Sequence, residues 1–206
     1  MTNKLKIGVL ASGNGSNLQS IIDRIESGHL SAEVACVISN NAAAFALERA
    51  KRHGAPALHI DHRIFADRKA YDVALVEALQ EYGTELVVLA GFMRIITTAL
   101  LNAFPMSIMN IHPALLPAFP GLHAQRQAMD YGVKVSGCTV HFVDTGTDTG
   151  PVIIQAAVPV LEGDSENTLS QRIQAEEHRI YPEAIRLFAE GRLRVEGRRV
   201  IVTPSA

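Results

Sequence analysis

What most constrains this chain is an alternation, through its first 111 residues, between short, uniformly apolar runs and segments of helical length. Residues 6–11 (KIGVLA) read as a buried strand. The turn SGNGSN then leads into LQSIIDRIESG, where Leu18, Ile21, Ile22 and Ile25 keep helical spacing and Gly28 lies just beyond the expected stop. The same reading predicts strands at 34–39, 57–60, 86–90 and 107–111, and helices at 42–53, 67–82 and 97–104. Strands that are apolar on consecutive residues need cover on both faces. Alternation with helices supplies that cover as a parallel sheet between helical layers.

After residue 111 the pattern changes. The loop HPALLPAFPG leads to a short helix around 123–131. Two longer runs, 135–143 and 152–160, are joined by the polar turn DTGTDTG, as suits an antiparallel pair. A long helix over 166–190 and a hairpin in LRVEGRRVIV follow. The expected fold class is α/β: an open, mostly parallel sheet with helices on both faces and antiparallel strands appended near the C-terminal part. With 206 residues and no internal repeat, one domain over 1–206 is expected.

Composition narrows the function classes. The 19 Lys+Arg against 21 Asp+Glu leave a net charge of −2 with no basic stripe, which argues against a general nucleic-acid binder. A hydrophobic fraction of 48% argues against a disordered chain. No apolar run approaches the ~18 residues a membrane span needs, and residues 1–12 do not read as a secretory signal. Cys36 and Cys138 both fall in apolar strand runs and read as reduced core residues of a cytoplasmic protein.

In open α/β sheets, ligands bind outside the carboxyl ends of the strands. Gly13-Asn14-Gly15-Ser16-Asn17 lies at such an end. Glycines allow a tight turn there, and N–H groups at a helix start attract phosphate. A dinucleotide fingerprint would need glycine where Leu18 stands and an acid where Asn40 stands, and no Lys follows the loop to make a P-loop. The loop suits one phosphate of a small ligand, or else a ligand-free turn with Ser16 or Asn17 as helix cap.

The segment Asn110-Ile111-His112-Pro113 is more informative. Residues two apart on a strand share a face, so Asn110 and His112 converge, and Pro113 turns the chain outward. An amide beside a protonated imidazole holds a developing oxyanion, and histidine passes protons near neutral pH. The alternative is a histidine that merely ends a strand. The loop 144–150 contains Asp144 and Asp148, which read as turn formers or as a carboxylate that orients His112 and favours its charged form. A cation site there fits poorly, because the spacing matches no EF-hand loop.

GNGSNL, AGFMR, NIHPALLPAFPG, VHFVD, DTGPVI and EEHRIYP occur in this order, and together they resemble the phosphoribosylglycinamide formyltransferase family of folate-dependent formyltransferases. The likeness runs from residue 6 to about residue 190. It implies a Rossmann-like formyltransferase fold, with a ribonucleotide-binding half over 1–105 and a folate-binding, catalytic half over 106–190. It also implies formyl transfer from 10-formyltetrahydrofolate to glycinamide ribonucleotide in purine synthesis. Asn110, His112 and Asp148 match the family's catalytic amide, imidazole and carboxylate. Gly15, Ser16 and Asn17 match its phosphate loop, and Glu177 matches a residue that recognises the ribonucleotide, although the sequence alone makes it an ordinary helix-face charge. Arg68, Met93, Arg94, Ile95, Ile96, Asn110, Asp144, Thr145, Gly146, Thr147 and Asp148 match folate contacts. Ala118 stands where several relatives carry a longer polar residue, and GTDTG stands where others have LDGG, which bears on folate-loop contacts only.

The resemblance implies no metal, small-molecule substrates as the only ligands, no nucleic-acid or membrane partner, and a monomer or homodimer. The competing readings are a formyltetrahydrofolate hydrolase, which would not need the GNGSN loop, and a non-catalytic phosphometabolite-binding module, which would bind without turnover. Methionyl-tRNA formyltransferase would call for a second domain and a basic surface. His59-Ile60-Asp61-His62 reads as a strand exit, His123 as a residue at the site edge, and His141 as satisfied in packing. Cys138, mid-strand, is a poor nucleophile. The loops 112–121 and 144–150 are the candidates to move.

Overall fold

The structure, a computed structural model, describes residues 4–204, so residues 1–3 of the leader reading and both ends of the 1–206 span lie outside the described residues. The chain divides into two compact units, one ending at Met109 and the other beginning at Asn110.

In the first unit, strands β1 (Leu5–Leu10), β2 (Ala32–Ser39), β3 (Ala57–His59) and β4 (Leu86–Leu89) lie in the order β3-β2-β1-β4, all parallel. Every residue of β4 is buried, as a strand covered on both faces requires. Helix α1 (Ser16–Glu26) buries Leu18, Ile21 and Ile22, the spacing that predicts it. Helix α3 (Arg68–Glu81) buries Tyr71, Leu75 and Leu79 and is capped by Asp67, whose side chain accepts from the Ala70 N–H. Helix α4 is Thr98–Ala103.

Helix α2 (Phe45–Arg52) starts later than the alanine run suggests. The Asn41 side chain accepts from the Ala43 N–H at 3.0 Å, and the Ala44 N–H donates to the Asn41 carbonyl at 3.1 Å, so residues 41–44 close into a turn before the helix begins. Strand order extends from β1 to β2 on one side and to β4 on the other. The loop after β1 therefore sits at a topological switch point, the place where such sheets bind ligands.

The second unit orders its strands β5-β6-β7-β9-β8, with β5 (Ile108–His112) entering from the first unit. As expected, β6 (Val135–Phe142) and β7 (Val152–Pro159) are antiparallel. The C-terminal hairpin of β8 (Leu193–Glu196) and β9 (Arg199–Val202) joins the sheet through a parallel contact between β9 and β7. Helix α5 is Ala124–Tyr131, and the long α6 (Glu166–Ala189) opens with a capping box of Ser165 and Thr168. Among the described residues no helix is long and apolar enough to cross a membrane.

Cys36 and Cys138 are fully buried free thiols. Burial pushes Cys36 up to about 11 and Cys138 up to about 12, so neither supplies a thiolate at neutral pH. Asp61 caps a short 3-10 turn over His62–Ile64 and pairs with Arg63, and among the described residues no cluster of His, Cys, Asp and Glu is arranged to hold a metal ion.

Thr139 anchors the loop that leaves His112. Its buried hydroxyl donates to the Ala114 carbonyl at 2.7 Å and accepts from the Leu116 N–H at 3.0 Å and from Gln155 Nε2 at 2.9 Å. Thr139→Val keeps the shape and strands these partners, at a cost of roughly 1–3 kcal/mol. Urea unfolding will show a lower midpoint with an unchanged slope for the valine variant, and a smaller loss for Thr139→Ser.

Candidate active site

Strand β5 ends on the pair the sequence singled out. His112 is 4% exposed. Its Nε2 lies 2.8 Å from the Phe119 carbonyl oxygen, and its Nδ1 lies 3.3 Å from Asp148 Oδ2. A carbonyl only accepts, so Nε2 carries a proton. Nδ1 stands within ion-pairing distance of the Asp148 carboxylate.

Asp148 is the centre of this cluster. Its Oδ2 accepts from the Gly121 N–H at 2.8 Å, and its Oδ1 accepts from Asn110 Nδ2 at 3.4 Å. That acceptor fixes which end of the Asn110 amide faces the cluster: the nitrogen. Burial pushes the Asp148 carboxyl up, but the close approach of His141, the Gly121 N–H and the charges of His112 and His141 outweigh it and hold the group below the usual carboxylate range.

The loop geometry separates its two carboxylates. Asp144 Oδ1 accepts from the Gly146 N–H at 3.0 Å and from the Thr149 hydroxyl at 2.6 Å, so Asp144 shapes the turn. Asp148 takes a left-handed backbone conformation with φ 54°, a region aspartate tolerates better than most residues. A Cβ at Gly150 would collide with the Phe142 carbonyl oxygen, which accounts for the glycine there. From the C-terminal hairpin, Arg198 Nη2 donates to the Thr149 carbonyl at 2.9 Å and pins the peptide between Thr149 and Gly150. Thr145, Gly146 and Thr147 form the exposed tip.

Two expectations need correction here. His141 is 1% exposed but is not merely packed. Its Nδ1–H donates to the Phe142 carbonyl at 2.8 Å, while Nε2 faces Asn110 Nδ2 at 3.3 Å and Asp148 Oδ1 at 3.7 Å. Alternation along β6 was the available signal, since it points His141 to one face, but only the register of β6 beside β5 identifies that face. Glu177 is likewise not an ordinary surface charge: it is 8% exposed on the face of α6 that buries Ile173, Ile180 and Tyr181. By contrast, His123 begins α5 on the exposed surface with φ 58°.

The first unit holds the remaining candidates. Helix α1 starts from Gly15 with no side-chain cap, so Ser16 and Asn17 are first-turn helix residues rather than caps. Gly15 has φ 74°, and a Cβ there would stand 2.8 Å from the Ala46 Cβ and 2.9 Å from its Cα, so α2 packs directly on this backbone. Ser12 ties the loops after three strands together. Its hydroxyl donates to Asn40 Oδ1 at 2.6 Å and accepts from the Met93 N–H at 2.9 Å, and its N–H donates to the Gly91 carbonyl at 3.0 Å. In the segment that follows, Met93 and Ile95 are 69% and 63% exposed, Ile96 is half-buried, and Arg94 stacks on Tyr71 with 5.5 Å from guanidinium carbon to ring centroid. The Thr97 N–H at its end is held by the buried Asp72 carboxylate. Arg68 is exposed at the start of α3.

In the second unit, a buried imidazole–carboxylate–amide cluster at a strand end suits group transfer. The chain belongs to the formyl transferase family, whose profile matches residues 5–185. It is 47% identical over 191 residues to the phosphoribosylglycinamide formyltransferase of Escherichia coli (strain K12), covering 93% of this chain and 90% of that protein. It is 49% identical over 191 residues to the trifunctional purine biosynthetic protein adenosine-3 of Drosophila pseudoobscura pseudoobscura, covering 92% of this chain but only 14% of that protein's length. The crystal structure of glycinamide ribonucleotide transformylase 1 from Symbiobacterium toebii superposes with a TM-score of 0.97 at 61% identity, covering 98% of this chain and 95% of that one.

Because the folded value of Asp148 is depressed, its ionised form contributes stability above the ordinary aspartate value of about 3.9, and this is lost as pH falls through the lower folded value. Below about pH 5 the stability advantage of the wild-type protein over Asp148→Asn will therefore shrink as the pH falls. Urea unfolding across this range tests it. A gap that does not change with pH overturns the assignment.

Proposed function

We propose that this protein transfers the formyl group of 10-formyltetrahydrofolate to the amine of glycinamide ribonucleotide, giving the formylated ribonucleotide and tetrahydrofolate in de novo purine biosynthesis, as one formyltransferase domain working in the cytoplasm. The observation that carries this reading is His112 set between the Phe119 carbonyl and the Asp148 carboxylate, with Asp148 held ionised by three neighbours, Gly121, His112 and His141, and the Asn110 amide turned nitrogen-first toward it.

In the mechanism, the unprotonated glycinamide nitrogen attacks the formyl carbon borne on N10. Negative charge develops on the formyl oxygen, where the Asn110 amide and the His112 imidazolium donate to it. Asp148 balances the imidazolium and fixes its ring, and His141 keeps the Asn110 nitrogen aimed. The C–N10 bond then breaks as a proton passes from the attacking nitrogen to N10 through water or through these groups. His112 Nε2–H is given to the Phe119 carbonyl in this state, so the loop carrying Phe119 must release it before it can serve the oxyanion.

Gly15, Ser16 and Asn17 are assigned to the ribonucleotide phosphate and Glu177 to the rest of that substrate. Arg68, Met93, Arg94, Ile95 and Ile96, with Asn110 and the loop residues Asp144, Thr145, Gly146, Thr147 and Asp148, are assigned to the folate. The exposed apolar side chains of Met93 and Ile95 suit a flat heteroaromatic ring.

The test is a formyl-transfer assay of the purified protein with a 10-formylfolate, with and without glycinamide ribonucleotide. Turnover that depends on the ribonucleotide is expected; turnover without it would make the protein a hydrolase, and binding without turnover a sensor module. Asn110→Ala will lower kcat by about 10²–10³, the usual cost of removing one oxyanion donor. Asp148→Asn will fold, lose rate and shift the acidic limb of the pH–rate profile. Near-full turnover with an unchanged profile would remove the His112–Asp148 coupling from the mechanism.

A further inference from the structure

Arg49, on α2, engages all three of its guanidinium nitrogens with neutral oxygens. Nε donates to the Asn14 carbonyl at 2.9 Å, Nη2 to Asn14 Oδ1 at 3.0 Å, and Nη1 to Gln19 Oε1 at 2.9 Å. None of these partners cancels its charge. The guanidinium carbon also lies 4.8 Å from the ring centroid of Phe45, one helical turn earlier. Beside it, the Ala46 N–H donates to the Gly13 carbonyl at 3.1 Å. Two consecutive carbonyls of the glycine loop are thus drawn toward α2. A trans peptide directs its C=O and N–H oppositely, so the N–H groups of Asn14 and Gly15 turn away from α2. The left-handed φ of Gly15 then feeds the chain into α1, whose first turn adds further N–H groups.

The geometry points to Arg49 as the positioning residue of this loop. It holds the peptide N–H groups outward as an anion-binding nest and leaves an uncancelled positive charge beside them, so that the loop selects a doubly ionised phosphate monoester. This rests on the assignment of the ribonucleotide phosphate to Gly15, Ser16 and Asn17. Lysine cannot replace arginine here, because one ammonium cannot span the carbonyl of Asn14, its side-chain oxygen and Gln19 together.

The experiment is steady-state kinetics of the full chain with glycinamide ribonucleotide, plus inhibition by inorganic phosphate, for the wild type, Arg49→Met, Arg49→Lys and Gly15→Val, with thermal melts of each. Arg49→Met is expected to raise the KM for the ribonucleotide and the phosphate inhibition constant by roughly 10- to 100-fold. The folate KM and kcat should stay within about twofold. Arg49→Lys should be intermediate and keep the salt dependence of the ribonucleotide KM, which Arg49→Met flattens. Parallel changes in kcat and both KM values would mean that Arg49 only supports the fold, and would overturn the proposal. An unchanged ribonucleotide KM in Arg49→Met, with a raised one in Gly15→Val, would overturn it while leaving the phosphate assignment standing. An unchanged KM in Gly15→Val as well would overturn both. Should Arg49→Met fail to fold, the KM-against-kcat split of Arg49→Lys decides.

Discussion

The contact on which the site depends is the one between Asp148 and His112. The buried imidazole gives its Nε2–H to a carbonyl and holds Nδ1 within ion-pairing distance of a carboxylate, and any positive charge it takes up there needs a counter-charge. Asp148 supplies it, and several features of the second unit serve to keep that carboxylate in place and ionised. Its left-handed backbone, the Gly121 N–H, the turn closed by Asp144 and the Arg198 bond to the Thr149 carbonyl all act on one residue. Thr139 and Gln155 secure the other side by holding the loop that leaves His112.

The first unit solves a different problem with the same economy of parts. A glycine-rich turn has many accessible conformations, and an anion site needs one. Packing of α2 on Gly15, the Arg49 fork and the Ser12 junction remove the alternatives, the first by close approach of Ala46 and the other two through neutral oxygens rather than carboxylates. The loop is therefore held in place without a carboxylate partner, as the proposed phosphate site asks of it. Asn40, which fails the dinucleotide pattern, has a role of its own here as the acceptor for Ser12.

Much of this is legible in one dimension. Apolar runs and helical spacing located every regular strand and helix to within a few residues, because burial on one or both faces imposes a period on the sequence. The late start of α2 was not legible, since alanine favours helix while the Asn41 turn competes for the same N–H groups. Asn110 and His112 were legible as a pair because two strand residues separated by one share a face. Choosing Asp148 over Asp144 as the partner of His112 rested on resemblance, for both carboxylates sit in the same turn and nothing local distinguishes them.

By itself, then, the sequence determined the succession of elements, the strand ends at which chemistry could occur, and the residue types available there. Tertiary structure alone decided that Asp144 closes a turn while Asp148 meets His112, that His141 meets Asn110 from the neighbouring strand, and that Glu177 lies buried on α6. It alone showed Arg49 gripping a loop 35 positions earlier in the chain. The reason is physical: periodicity records whether a side chain is buried, whereas partnership between polar groups depends on register, backbone handedness and the approach of distant segments, none of which leaves a local trace.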